Sequence, residues 1–180
     1  MKKATKLIGM AVGATMLGTS GLANATTVDL GAAGLGVPLA FSGFAPIGAF
    51  IDTFKFLLPP NGGSGYSVVN FPLTIPLGTF NAIFSTLSLF SNPDGIEFNG
   101  DDALLVSNST GGSSMFLTLP AAAGGNMYLT VAGITNGTAG GLYSGAISTT
   151  AALVPLPPAA WMLGSALVGL VTVGRRKLGV

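Results

Sequence analysis

Between residues 26 and 153, leaving tyrosine aside, the ionisable side chains are six carboxylates and one lysine: Asp29, Asp52, Asp94, Glu97, Asp101 and Asp102 against Lys55. Four of the acids, Asp94, Glu97, Asp101 and Asp102, follow Asn92 closely in an oxygen-rich stretch. Hard oxygen ligands are what Ca²⁺ takes, so this loop is a candidate calcium site; the spacing is not that of an EF-hand, and solvated turn charges are the plainer alternative. Two carboxyls about 5–10 Å apart across a cleft would instead suit glycoside hydrolysis, with Asp52 and the loop acids as the available pairs. Histidine and cysteine are absent. That removes the Ser–His and Cys–His nucleophile pairs, the commonest general base, the commonest transition-metal ligand and any disulfide. The composition reads as that of a protein without catalysis or resident cofactor of its own.

Asp52 stands apart from the loop, in Phe50-Ile51-Asp52-Thr53-Phe54-Lys55-Phe56-Leu57-Leu58. In a strand, alternation puts Phe50, Asp52, Phe54, Phe56 and Leu58 on one face and Lys55 on the other. A carboxylate on an apolar face must accept backbone or hydroxyl hydrogen bonds, sit at the rim, or bind a cation. Tyr66, Tyr128 and Tyr143 are candidates for stacking on sugar rings, or else half-buried strand residues.

These residues need a scaffold, and the pattern around them is that of strands. Apolar alternation with a period of two recurs between clusters of Gly, Pro, Asn and Ser, without an amphipathic helical pattern. The expected fold is all-β, a single β-sandwich of jelly-roll-like type spanning residues 26–153. Predicted strands cover 37–44, 49–58, 66–71, 82–90, 96–98, 103–106, 115–119, 126–132 and 142–149. Pro59 to Gly63, Asn92 to Gly95, Asn99-Gly100 and Asn136-Gly137 read as turns, the last joining a C-terminal hairpin. The region holds one lysine against six acids, a net charge of −5, which leaves no footprint for nucleic acid and repels anionic lipid.

Both ends of the chain read as addresses. Lys2, Lys3 and Lys6 precede an apolar core at 7–17 and the small-x-small sequence Ala23-Asn24-Ala25, the anatomy of a secretory signal peptide (1–25) cut by signal peptidase after Ala25. At the other end (154–180), Val154-Pro155-Leu156-Pro157-Pro158 leads into an apolar run at 159–174 and the basic cluster Arg175-Arg176-Lys177. A helix of that run would cover ~24 Å of an apolar layer of ~30 Å, a short transmembrane helix whose basic end snorkels. The positive-inside rule places the cluster in the cytoplasm and the sandwich outside the inner membrane.

The three-part tail resembles the PEP-CTERM sorting signal of Gram-negative bacteria, in a Val-Pro-Leu-Pro variant with Leu156 where the eponymous glutamate stands. Phe50-x-Asp52-x-Phe54, with Met127 to Gly133 and Gly140 to Gly145, is similar to the FxDxF group of PEP-CTERM proteins. The resemblance implies recognition by an exosortase at Val154, Pro155, Leu156, Pro157, Arg175, Arg176 and Lys177. It also implies a structural or interaction role at the cell surface or in an exopolysaccharide matrix, as in biofilm or floc. A carbohydrate-binding surface module, with or without Ca²⁺, is the other expectation. A carboxylate-only enzyme is the third.

Overall fold

The computed structural model describes residues 24–152, together with 162, 163 and 165–168. Its strands are β1 (Asn24–Ala32), β2 (Leu39–Ala45), β3 (Gly48–Leu58), β4 (Asn61–Asn70), β5 (Leu73–Ile75), β6 (Gly78–Phe80), β7 (Ala82–Ser91), β8 (Ala103–Asn108), β9 (Ser114–Ala122), β10 (Gly125–Thr135) and β11 (Gly141–Thr150). A five-stranded sheet in the order β1-β3-β10-β7-β8 faces a four-stranded sheet in the order β2-β11-β4-β9, and β5 and β6 form a small ribbon. The pairing is nested. β2 pairs with β11, β3 with β10, β4 with β9 and β7 with β8, all antiparallel. A long hairpin rolled up on itself has this pattern, so the connectivity is that of a jelly roll. β1 is added to the edge of β3 in parallel.

Alternation explains the core. Phe50, Phe54, Phe56 and Leu58 of β3 meet Leu129 and Val131 of β10, Phe84, Leu87 and Leu89 of β7, and Phe41, Tyr66, Val68, Tyr143 and Ile147 from the facing sheet. In β7 the inward set changes phase, from Ala82 and Phe84 to Leu87 and Leu89. A bulge causes it: Thr86 opposes Ala132 and Phe84 opposes Gly133, leaving Ser85 as the extra residue.

Aromatic rings of this core lie across glycines. Phe50 opposes Gly133, Tyr143 opposes Gly43 and Phe41 opposes Gly145 in the registers of their strands. A Cβ on Gly145 would overlap the Phe41 ring and the Ser67 carbonyl, and one on Gly43 would overlap the Tyr143 ring. The missing side chains are the space into which the rings fold.

Several expectations are corrected. Residues 96–98 form no strand: Ile96 is exposed, and the Phe98 ring leans on Tyr128 on the outer face instead of entering the core. Asn61, Gly62 and Gly63 belong to β4. The expected β10–β11 hairpin does not form, since the two strands lie in different sheets. Asn136-Gly137 opens a crossover between sheets, pinned where the Asn81 carbonyl accepts the amides of Asn136 (3.1 Å) and Gly137 (3.3 Å) and the Asn81 amide donates to Gly140 (2.9 Å). β1, β5 and β6 were not among the predicted strands. The predicted membrane helix at 159–174 lies mostly outside the described residues, of which 162, 163 and 165–168 are helical. Among the described residues no helix is long and apolar enough to cross a membrane.

The ring-over-glycine packing predicts a contrast between two conservative substitutions. Gly145→Ala destabilises the domain by about 1–3 kcal/mol through overpacking. Gly100→Ala, with open space around its Cβ, changes stability by less than ~0.5 kcal/mol. Urea unfolding of the two variants measures the difference.

Candidate functional site

β3 points Phe50, Asp52 and Phe54 into the sandwich, and β11 brings Tyr143 to them from the opposite sheet. The Tyr143 hydroxyl donates to Asp52 Oδ2. Oδ1 accepts the Thr26 amide of β1 at 3.1 Å and the Thr26 hydroxyl. Phe50 stacks on Tyr143 with ring centres 5.7 Å apart and 21° between planes. Phe54 and Phe84 meet the same ring edge-on at 6.3 and 5.8 Å. The Phe-x-Asp-x-Phe spacing therefore has a geometric reason: residues two before and two after the carboxylate flank the ring whose hydroxyl the carboxylate accepts. Asp52 is only 2% exposed, and its oxygens are answered by an amide and two hydroxyls. Burial, and then the bond to Asp52 and its charge, push the Tyr143 phenol far above its usual range.

A second polar cluster covers the outer face of the five-stranded sheet. Tyr128 on β10 points away from the core, between Lys55 and Phe90 in the sheet register. Phe90 stacks on it at 4.8 Å and 11°, and Phe98 leans against it at 5.3 Å. The Tyr128 hydroxyl donates to Asp102 Oδ2 at 3.1 Å. Burial, the bond to Asp102 and the charges of Asp102 and Glu97 raise this phenol to about 12. Lys55 forms an ion pair with Glu97 and donates to the Gly95 carbonyl at 3.1 Å. The pairing holds the lysine above its ordinary range.

The loop acids are engaged partly by the loop and partly by the sheet beneath it, and Asp102 Oδ1 is buried without a partner. Asp94 accepts the Ile96 amide (2.8 Å) and the Asn99 side-chain amide (2.8 Å), and Asp102 accepts the Asn99 backbone amide (3.0 Å). Asn99 thus brings Asp94 and Asp102 together, Glu97 turns to Lys55, and Asp101 is exposed. Phe98 adopts a left-handed φ of 61°, unusual for a bulky residue, and so lays its ring on Tyr128. Among the described residues no group of three or more acidic side chains is placed to hold a metal ion. Asp52, inside the sandwich, shares no cleft with the loop acids.

The tyrosines expected to stack on sugars are buried: Tyr66 and Tyr128 at 1% exposure and Tyr143 at 2%. The Tyr66 hydroxyl shares a 2.9 Å bond with Ser64. Among the described residues the exposed aromatics are phenylalanines, Phe44, Phe71, Phe98 and Phe116. Phe44 and Phe116 both point outward from the four-stranded sheet, but from its opposite edge strands, three strand spacings or roughly 14 Å across the sheet and four residues or roughly 13 Å along it. A cleft of about 360 Å³ opens where the β1 bulge meets the loop, lined among others by Asp29, Lys55, Asn92 and Asn126. Of the address residues, Ala25 is in β1 and pairs with Ile51. Ala23, Val154, Pro155, Leu156, Pro157, Arg175, Arg176 and Lys177 lie outside the described residues.

No protein-family model and no curated protein matches the sequence. Among solved structures the chain is similar to PliG of Aeromonas hydrophila, a periplasmic inhibitor of g-type lysozyme, at 18% identity and a TM-score of 0.32, over 69% of this chain and 96% of that one. It is also similar to the pre-peptidase C-terminal domain of a collagenase from Bacillus anthracis, at 15% identity and a TM-score of 0.31, over 72% of this chain and all of that one.

Two outcomes follow from the tyrosine environments. Tyr143→Phe leaves a buried carboxylate oxygen without its donor and destabilises the domain by about 1.5–3 kcal/mol in urea unfolding. The phenols of Tyr66, Tyr128 and Tyr143 are all raised. Their contribution is therefore fully present below the unfolded value of about 10 and is lost as pH rises through the higher native values, about 12 for Tyr128. Ultraviolet titration should find the native tyrosines clearly less ionised at about pH 10 than those of the unfolded chain, which are half ionised there.

Proposed function

We propose that the chain is an exported exosortase substrate whose sandwich serves as a structural or interaction module of the cell surface or exopolysaccharide matrix. The observation that carries this reading is the three-part tail, Val154 through Lys177, set directly behind the last strand. β11 ends at Thr150, and Ala151 still lies against β4, its carbonyl 2.6 Å from where a Cβ on Gly62 would be. The proline motif thus begins within four residues of the last strand and directly abuts the apolar run at 159–174. The chemistry of processing belongs to the exosortase. The short apolar run anchors the protein in the inner membrane until the cut, with the basic cluster on the cytoplasmic side.

The sandwich itself supports a passive role. Asp52, Asp94, Glu97 and Asp102 are engaged in bonds that hold strands and loop together. The carbohydrate-binding reading rests on the exposed phenylalanines, Phe44 and Phe116 first, in place of the tyrosines. Binding of a soluble exopolysaccharide that is lost in Phe116→Ala, with the fold intact by circular dichroism, would favour it.

Intact mass of the protein recovered from its host, with and without the exosortase, tests the main reading. The expected mass runs from Thr26 to a carboxyl end between residues 155 and 158, and only when the exosortase is present. A mass that retains residues 175–180 in both strains makes the chain a permanently anchored ectodomain and overturns the sorting role.

A further inference from the structure

Asp52 has bonding partners but no cation. Among the described residues Lys55 is the sole basic side chain, and it faces away from Asp52 toward Glu97. The Asp52 carboxylate, 2% exposed, is held by a phenol, a hydroxyl and one backbone amide. That amide belongs to Thr26, which is also the register partner of Asp52 in the parallel β1–β3 ladder. Thr26 is the residue that follows Ala23-Asn24-Ala25, the small-x-small sequence at which the signal peptide is expected to end.

We propose that removal of the signal peptide installs the counter-charge of Asp52: the new α-ammonium of Thr26 forms an ion pair with the buried carboxylate. Hydrolysis of the Ala25–Thr26 peptide bond by signal peptidase consumes one water. The leaving peptide ends in the Ala25 carboxylate, and Thr26 keeps its nitrogen as an amine that is protonated at neutral pH. In the uncut chain this nitrogen is a neutral amide 3.1 Å from Oδ1. After the cut it is a cation at the same place, and the bond becomes charge-assisted. The inference rests on the export reading above, and specifically on its amino-terminal half.

The arrangement depends on register. Moving the terminus by one residue shifts the amine by ~3.3 Å along the strand, away from the carboxylate. The cut also removes Asn24 and Ala25, which pair with Phe50 and Ile51, so that mature β1 begins at the carboxylate. The titratable groups facing the amine are Asp52 from β3 and, through it, Tyr143 from β11. β10 presents Val131 opposite Asp52, and Asp29 lies three residues further along β1. Because the native amine holds its proton more tightly than the unfolded one, the added stability is present below about pH 8 and is lost as pH rises through the native value.

Amino-terminal sequencing of the exported protein comes first, followed by NMR titration of its α-amine through isotope-labelled methyl groups added by reductive methylation, native and in urea. The expected result is a chain beginning at Thr26 whose native α-amine binds its proton at least about tenfold more tightly than the unfolded one, a shift of one pH unit or more. Asp52→Asn should abolish the shift. Should that variant not fold, Nα-acetylation of the wild-type chain, which keeps the N–H and removes the charge, should lower the folding equilibrium constant about tenfold. A chain that begins elsewhere sinks the processing reading together with the ion pair. A chain that begins at Thr26 with an ordinary amine, or whose stability ignores acetylation, sinks the ion pair alone.

Discussion

A carboxylate inside an apolar sandwich must have its oxygens answered, and the answers that Asp52 receives hold three strands in place. Its bond to Tyr143 ties the two sheets together through the core, and its bonds to Thr26 fix where β1 lies along β3. The aromatic residues around it follow from the same requirement. A tyrosine whose hydroxyl reaches a carboxylate across the core must have its ring enclosed, and Phe50, Phe54 and Phe84 enclose it. The ring in turn needs a glycine beneath it on β2, which is Gly43. A one-residue slip of β3 would turn Asp52 outward and Lys55 inward, so this one polar contact opposes every wrong register.

The outer face of the five-stranded sheet repeats the device with a less buried carboxylate. Tyr128 is again a phenol bonded to a carboxylate and stacked on phenylalanine, here under a loop instead of a second sheet. The difference lies in what the acids do. In the core one carboxylate organises strands, whereas on the outside Asp94, Glu97 and Asp102 fold their own loop and clip it to Lys55. A residue inventory that looks like a metal site also folds the loop.

Most strands were legible because their side chains alternate strictly: β3 carries Phe50, Phe54, Phe56 and Leu58 at every second position save Asp52. The face of Asp52 and the need for hydroxyl or amide donors could be read from the same pattern. The donors themselves could not, since Thr26 and Tyr143 come from strands far away in the chain and no local rule links them. β1 escaped notice because it is a mostly exposed edge strand whose apolar alternation is limited to Val28 and Leu30. Residues 96–98 misled for the opposite reason. Ile96 and Phe98 are apolar at alternate positions, but they flank a turn, with Phe98 capping Tyr128. The crossover after β10 was hidden because Asn-Gly signals a tight turn without saying whether the next strand stays in the sheet. Hydrogen bonds from Asn81, more than fifty residues earlier, decide that.

The nested pairing has a consequence for how the chain acquires its shape. Leu39 of β2 is the register partner of Ile147 of β11, over a hundred residues later. The four-stranded sheet therefore cannot close while its last strand is missing, and β3 must likewise wait for β10. Such distant pairings form slowly, because the entropy of closing the intervening loop is lost before the contacts compensate for it. If the chain is exported as proposed, made on one side of a membrane and folded on the other, it benefits from that delay. It has little stable local structure to unravel at the entrance of a narrow channel. Its fold can be completed only on the side where β11 is finally delivered.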